Sequence, residues 1–338
     1  CQDMWELLAK IFSHRDYFDY APGAGLAFKT VTQSWNALVV SMSEAPGVYG
    51  CCRYSTLEEC QRLQEELSKL TGRCNDILGG MRESFPRLYF VDDVSLMHVA
   101  ASTSPKDIDF GQLESVFSGL SSISFNSDVE NGNPDAAEKW EVTAAHFENE
   151  ISLQLDGCTL SRGDLPELWL SKILDRLRGG IKASFEACLT GCATMKPLEW
   201  STVFPSQSVL LVDDVVWTDT VSAVLNSMSS GNKFAMQNLF QQATRRLEGI
   251  QKTIQSLMFE VGHNMTQNEI QACLRSQRAL FVTGIEHRDF ADSLNGSQIS
   301  GIDDYEWLKQ MRYYWNIETK GCSVHAGLLS RVEYGFEC

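Results

Sequence analysis

Three stretches of this sequence hold residue types that could do chemistry. Ser208-Val209-Leu210-Leu211-Val212-Asp213-Asp214 sets an apolar run ahead of two acids. A buried strand that ends on a carboxylate can hold Mg²⁺ beside a nucleotide, with Asp213 or Asp214 as the ligand. That chemistry needs a GxxxxGK[ST] loop whose backbone amides cradle the phosphates, and the sequence has none. Glu286-His287-Arg288-Asp289 gathers an acid, an imidazole and a guanidinium. Neighbours on a helix point to different sides, so the run is not a triad; it reads as a histidine with polar partners at a helix surface. Cys188 and Cys192 stand one helical turn apart, but two thiols with no histidine near them do not make a zinc site. No GxSxG or HExxH pattern is present, and the paired acids Asp92-Asp93 and Asp303-Asp304 stand where helix caps belong. The sequence thus offers no catalytic, cofactor-binding or metal-ligating residue. Val209, Val212 and Val216, then Val221, Val224 and Met228, keep steps of three and four, which predicts a helix over Gln207–Met228 with Asp213 and Asp214 on its solvated side.

The elements that must position such residues are mostly helical. Trp5, Leu8 and Ile11 are spaced for one helix, and Phe28, Val31 and Trp35 for another after Pro22-Gly23. From Ser55 to Phe85, Cys60, Leu63, Leu67, Leu70, Cys74, Ile77 and Met81 form a heptad seam, with Thr56 and Glu59 spaced for a capping box. Pro86 stops that helix, aromatics pack the corner, and Asp92 or Asp93 caps the next. Leu120, Ile123 and Phe125 suggest a strand. Val142–Phe147 and Glu150–Leu155 read as a hairpin, with a further turn at Asp156-Gly157 and an acidic surface loop over Asn126–Lys139. Two more long helices follow, one through Leu170, Ile173, Leu177, Ile181, Phe185, Cys188 and Cys192, the other through Phe240, Ala243, Leu247, Ile250, Ile254, Leu257 and Val261. Thr266 and Glu269 cap a last long helix. The stretch Asp303–Cys338 carries Tyr305, Trp307, Tyr313, Tyr314, Trp315, Tyr334 and Phe336. Its first part, through Trp315, reads as a helix, and Ser323–Phe336 as extended.

Composition narrows the partners. The chain has 338 residues, 43% of them hydrophobic, enough for a sizeable core. Its net charge of −16 argues against nucleic acid and equally disfavours an anionic membrane surface. No apolar run approaches the ~20 residues of a membrane-spanning helix. There is no signal-peptide pattern and residue 1 is a cysteine, so the expectation is a piece cut from a longer chain. Eleven cysteines, odd in number and scattered, read as free thiols in a reducing cytosol, where Asn264-Met265-Thr266 and Asn295-Gly296-Ser297 are idle as glycosylation triplets.

Several of these stretches together resemble one family. Phe85-Pro86-Arg87-Leu88-Tyr89-Phe90 with Asp92-Asp93 is similar to the FPRFYF stretch of the dynein heavy-chain linker, with Leu88 the one departure. Glu148-Asn149-Glu150 stands at the hairpin turn where the family writes EGE, beside a connection that is longer here. Trp200, Pro205, Gln207 and Val209 through Trp217-Thr218 resemble its W…P.Q.VL…WT pattern, and His287-Arg288-Asp289 its H.RD. Trp307, Gln310-Met311-Arg312, Tyr313-Tyr314-Trp315 and Tyr334-Gly335-Phe336-Glu337 resemble the passage from linker to the first AAA-type ring module. The resemblance implies a mainly α chain: an elongated multi-helix bundle, or linker rod, with a small inserted antiparallel β-hairpin. It divides into a helical portion 1–90, a mixed segment 91–165, a helical portion 166–318 and an extended lead-in to the ring module over 319–338. It implies a mechanical lever that couples ATP hydrolysis in the ring to movement along microtubules, with the bend expected within 86–165. No cofactor is expected in this stretch, and ATP and magnesium in the parent ring. The implied partners are the AAA-type ring of the same heavy chain, other dynein subunits and, through the parent motor, microtubules. The implied location is the cytoplasm and cytoskeleton, with axonemal and cytoplasmic forms both open. Two other classes stay open: a helical scaffold that binds partner helices through its heptad faces, and a cryptic ATPase using Asp213 or Asp214.

Overall fold

The computed structural model describes residues 1–13, 17, 22–44, 47–51, 53–127, 139–147, 152–229, 231–232, 234–259, 267–297, 299 and 301–336. The chain forms two compact units. The first holds Cys1–Thr143 and Gly157–Asp175, the second Ala144–Asp156 and Arg176–Cys338.

The first unit opens with helices α1 (Gln2–Ile11), α2 (Pro22–Glu44), α3 (Val48–Cys51), α4 (Tyr54–Arg73) and α5 (Asn75–Ser84). Leu8 and Ile11 of α1 are buried, and the Trp5 indole N–H donates to the Thr32 hydroxyl of α2 at 3.1 Å. The predicted helix 55–85 is two helices that meet at Cys74, whose N–H is shared by the carbonyls of Leu70 and Thr71. Gly72 weakens the last turn of α4, and the shared bond tightens it into a stop. The seam survives the break: Leu63, Leu67, Leu70, Cys74, Ile77 and Met81 are all buried. The expected capping box does not form, because Arg53 is the N-cap and Thr56 lies inside the first turn.

Pro86 starts a 3₁₀ turn, Pro86–Phe90. The corner is packed by Phe85 against Phe117 and by fully buried Leu88, whereas Tyr89 and Phe90 are exposed. Arg82 spans the corner, donating to the Val91 carbonyl at 3.0 Å and to Asp93 at 2.7 Å. Asp92 caps α6 (Asp93–Ala100) by accepting from the N–H groups of Val94 and Ser95. The Ser95 amide and hydroxyl hold its carboxyl below the usual carboxylate range. Further on, Phe110, Leu113, Val116 and Phe117 are buried, so residues 86–117 form a packed core rather than a loose connection.

The strands β1 (Leu120–Ser127), β2 (Lys139–Phe147) and β3 (Leu153–Ser161) pair in the order β1-β2-β3. The predicted hairpin is thus part of a three-stranded sheet; its turn, and the acidic loop at 128–138, lie outside the described residues. Asp156-Gly157 is not a turn but lies within β3, where Gly157 takes φ +70°. A left-handed glycine inside a strand lets the strand bend without ending it. In the first unit the Trp169 indole N–H donates to the Ser161 carbonyl at 2.9 Å, and its ring meets Trp140 edge-on.

The second unit is built on α7 (Pro166–Thr194, from Arg176 onward), α8 (Pro197–Val203), α9 (Ser206–Ser229), α10 (Ala235–Phe259) and α11 (Gln267–Gly296). The apolar run Val209–Val212 is helical, as its three-and-four spacing predicts, and Val209, Val212, Val221 and Leu225 are fully buried. Thr266 and the end of the α10 seam at Val261 lie outside the described residues. At Gly284 a Cβ would come within 3.2 Å of Leu247, so α10 and α11 approach closely there.

The terminal stretch departs from expectation. Only α12 (Tyr305–Leu308) is helical; Met311–Asn316 forms β4, which pairs antiparallel with β5 (Gly321–Ala326), itself antiparallel to β6 (Ser330–Glu333). Tyr313-Tyr314-Trp315 favours a pleated, half-buried surface. The contacts reward that choice: Trp315 lies 4.7 Å from Phe185 of α7, and the Tyr313 N–H donates to the Thr218 hydroxyl of α9 at 3.0 Å.

Candidate functional site

The acids and the histidine singled out by their chemistry come together in the second unit. On α9, Val209, Asp213, Trp217 and Val221 stand four apart and share one face. Val209 and Val221 are fully buried, and Asp213 with them, 3% exposed. The expectation that Asp213 lies on the solvated side is therefore wrong, because the ladder through Val209 and Val221 carries it inward. His287 of α11 is also buried, 7% exposed, and not on the helix surface as expected. Its ring stacks on Trp217, with centroids 4.3 Å apart and planes 10° from parallel. One ring nitrogen, Nδ1, faces Asp213 Oδ2 at 3.8 Å, and the other, Nε2, faces Asp214 Oδ1 at 3.5 Å. Arg246 of α10 pairs with Asp213 Oδ1. Arg288 and Asp289, the sequence neighbours of His287, pair with each other at the surface instead.

A cavity of about 340 Å³ opens beside this cluster. Asp213, His287 and Arg246 line it together with Trp200, Trp217 and Cys192. Trp200 is fixed by its indole N–H, which donates to the Cys188 carbonyl at 2.8 Å. Sequence reasoning missed Arg246 and Trp217. The signal for Trp217 was its place four residues after Asp213, and for Arg246 its place one residue before Leu247 of the buried seam.

Burial raises the Cys192 thiol, with the Asp213 charge adding to it, and burial pushes Cys188 up to about 12. Neither offers a thiolate nucleophile near neutral pH. Among the described residues no group of three histidine, cysteine or acidic side chains could hold a metal ion. The residues do not fit a nucleotide either: Asp213 lies in a helix and its charge is already paired with Arg246. The strand-borne Mg²⁺ ligand of the cryptic-ATPase alternative is thereby overturned. The cluster does join three helices, α9 to α10 through the Asp213–Arg246 pair and α9 to α11 through the stacking of His287 on Trp217.

The chain is mainly helical with two small antiparallel sheets, and in the second unit a short terminal meander is fastened to long packed helices. The family model described as dynein heavy chain, N-terminal region 2, matches residues 1–188, more than half of the chain. The chain belongs to the dynein heavy chain family. It is 22% identical over 338 residues to dynein axonemal heavy chain 10 of Homo sapiens, covering 99% of this chain and 7% of that protein. It is 22% identical over 347 residues to dynein axonemal heavy chain 6 of Homo sapiens, covering 100% and 8%. It is 23% identical over 339 residues to dynein axonemal heavy chain 12 of Mus musculus, covering 99% and 10%. The chain thus spans no more than about a tenth of the length of these relatives. Among the described residues no helix is long and apolar enough to cross a membrane.

Proposed function

We propose that this chain is the linker of a dynein heavy chain, the lever that carries force from an AAA-type ring to movement along microtubules. The observation that carries this reading is the end-to-end match to heavy chains of that family, which includes the terminal aromatics as well as the matched N-terminal region. The fold suits the role, since long helices packed through heptad seams respond as discrete bodies rather than deforming smoothly. In this reading ATP and magnesium act in the ring of the parent chain, and none of the residues of the Asp213 cluster takes part in hydrolysis. The axonemal relatives favour an axonemal, ciliary motor, in which other dynein subunits accompany the heavy chain.

The bend is proposed within 86–165, narrowed to 118–165, because residues 86–117 are cored by Leu88, Phe110, Leu113 and Phe117. The left-handed Gly157 supplies a residue there that can absorb φ/ψ change. The test is a rigid cross-link between α4 and the 176–192 part of α7 in the intact motor. ATP turnover persists and microtubule gliding stops if the lever reading is right. Gliding at normal speed with the cross-link complete removes this segment from the mechanism.

A further inference from the structure

The terminal sheet leaves one edge open. β6 stands last in the order β4-β5-β6, and Ser330, Arg331, Val332 and Glu333 are all exposed. Such an edge offers its outward N–H and C=O groups to any strand that can match them. The phase of the pairing decides which residues offer them. The Tyr334 N–H donates to the Cys322 carbonyl at 2.8 Å, in the same register that sets Glu333 opposite Ser323 and Val332 opposite Val324. Tyr334 therefore turns its backbone groups towards β5. That orientation alternates along an antiparallel ladder, so Val332 and Ser330 also face β5, while Arg331 and Glu333 turn their groups outward.

The side chains divide in the same way. The Tyr334 hydroxyl accepts from the Gln207 amide of α9, so its side of the sheet is turned to the helices. Val332 shares that side, two residues earlier, yet it is 63% exposed. Arg331 and Glu333 lie on the other side. There His325 stands opposite Arg331, and burial, followed by the charges of Arg331 and Arg312, holds it below its ordinary value. The Arg331 end of the strand is thus cationic and suits a carboxylate.

Arg331-Val332-Glu333 is its own complement. A two-fold axis through Val332 sets Arg331 of each copy opposite Glu333 of the other. Both residues face outward, so each such pair exchanges both N–H···O bonds, and opposite charges meet side by side. The two Val332 side chains meet at the axis, in the closer, non-hydrogen-bonded kind of pair. Registers centred on Arg331 or on Glu333 are also in phase, but they set like charges face to face. Charges usually guard an edge against pairing; here they select one pairing.

We propose that β6 is a self-association edge, through which two copies of this chain join antiparallel about Val332 into one continuous sheet. The contact is small and therefore weak, with a Kd on the order of 0.1–1 mM. It forms where salt screens the long-range repulsion between chains of net charge −16. The proposal goes beyond the lever reading and does not depend on it.

The test is sedimentation velocity of the 338-residue chain in ~0.15 M salt, from ~0.01 to ~0.5 mM. The weight-average sedimentation coefficient rises with concentration. Arg331→Glu and Glu333→Arg each abolish the rise, because each sets like charges opposite one another. An equimolar mixture of the two variants restores it, since every facing pair is then of opposite sign, and so does the chain that carries both substitutions. Both positions are exposed, so the substitutions leave the core untouched. The proposal is overturned by a coefficient that stays constant for the unsubstituted chain, by single variants that associate as it does, or by a mixture that stays monomeric.

Discussion

Cys188 is enclosed on every side, and its thiol is raised to about 12; burial raises Cys74, Cys273 and Cys322 to about 11. The sign of the pH effect follows. A group whose folded pKa lies above its unfolded value stabilises the fold fully below the unfolded value, here near 9.0, and that contribution is lost as pH rises towards the folded one. The expected outcome is a urea midpoint that falls as pH climbs from about 9 towards 11, with a shallower fall in Cys188→Ala. A second readout is alkylation: in the native chain at pH ~8, exposed Cys1 reacts with iodoacetamide while these four thiols do not, as mass spectrometry of the digest reports. Residue-scale detail was only partly legible in the sequence. The caps could be read to within the pairs Asp92-Asp93 and Asp303-Asp304, of which Asp92 and Asp304 serve, because a cap is a local bond between a side chain and the next amides. The burial of Asp213 and His287 could not, because it depends on α10 and α11 closing over α9, a contact between residues 33 and 74 apart in sequence in the case of Asp213.

At the scale of elements, α7 offers a direct comparison. Gly179 and Gly180 sit side by side in a helix that runs on through both. A Cβ at Gly179 meets nothing within 4 Å, whereas one at Gly180 would lie 2.7 Å from Leu155 Cδ2 and 3.2 Å from Leu153 Cδ2. Gly179→Ala is expected to stabilise by about 0.5–1 kcal/mol, the helix-propensity difference. Gly180→Ala loses that gain to overpacking, which typically costs about 1–3 kcal/mol. Urea midpoints of the two variants should therefore move in opposite directions, and a shared rise would show that the strand under α7 yields freely. The long helices were legible because steps of three and four persist over many residues. The terminal helix through Trp315 was misread because a short aromatic cluster fits either period, and its choice is made by Phe185 and Thr218, more than ninety residues away.

For the whole molecule, charge dominates. Forty-four acidic side chains oppose twenty-eight basic ones, which leaves −16 at pH 7. Self-repulsion of that size opposes compaction, and salt screens it. Raising ionic strength from ~0.01 to ~0.15 M, where the Debye length shrinks to ~8 Å, is expected to raise Tm by about 2–4 °C. A flat or falling Tm would mean that local ion pairs such as Arg82–Asp93 and Lys172–Asp164 outweigh the net field. The membership of the family was legible because its motifs occur in order along the chain. The division into two units was not, since its boundaries fall inside β2, β3 and α7 and no break in composition marks them.

The terminal meander has a mechanical consequence. Thr218 donates its hydroxyl hydrogen to the Asp214 carbonyl of its own helix and accepts the Tyr313 amide with the same oxygen. Gln207 of that helix reaches the Tyr334 hydroxyl, and Phe185 of α7 meets both Trp315 and Phe336. The fastenings therefore engage both the first strand of the meander and the residues after its last strand. Thr218 also acts as an index mark: sliding β4 by one residue would take the Tyr313 amide off the hydroxyl and turn Trp315 away from Phe185, so the joint holds at one setting and resists creep.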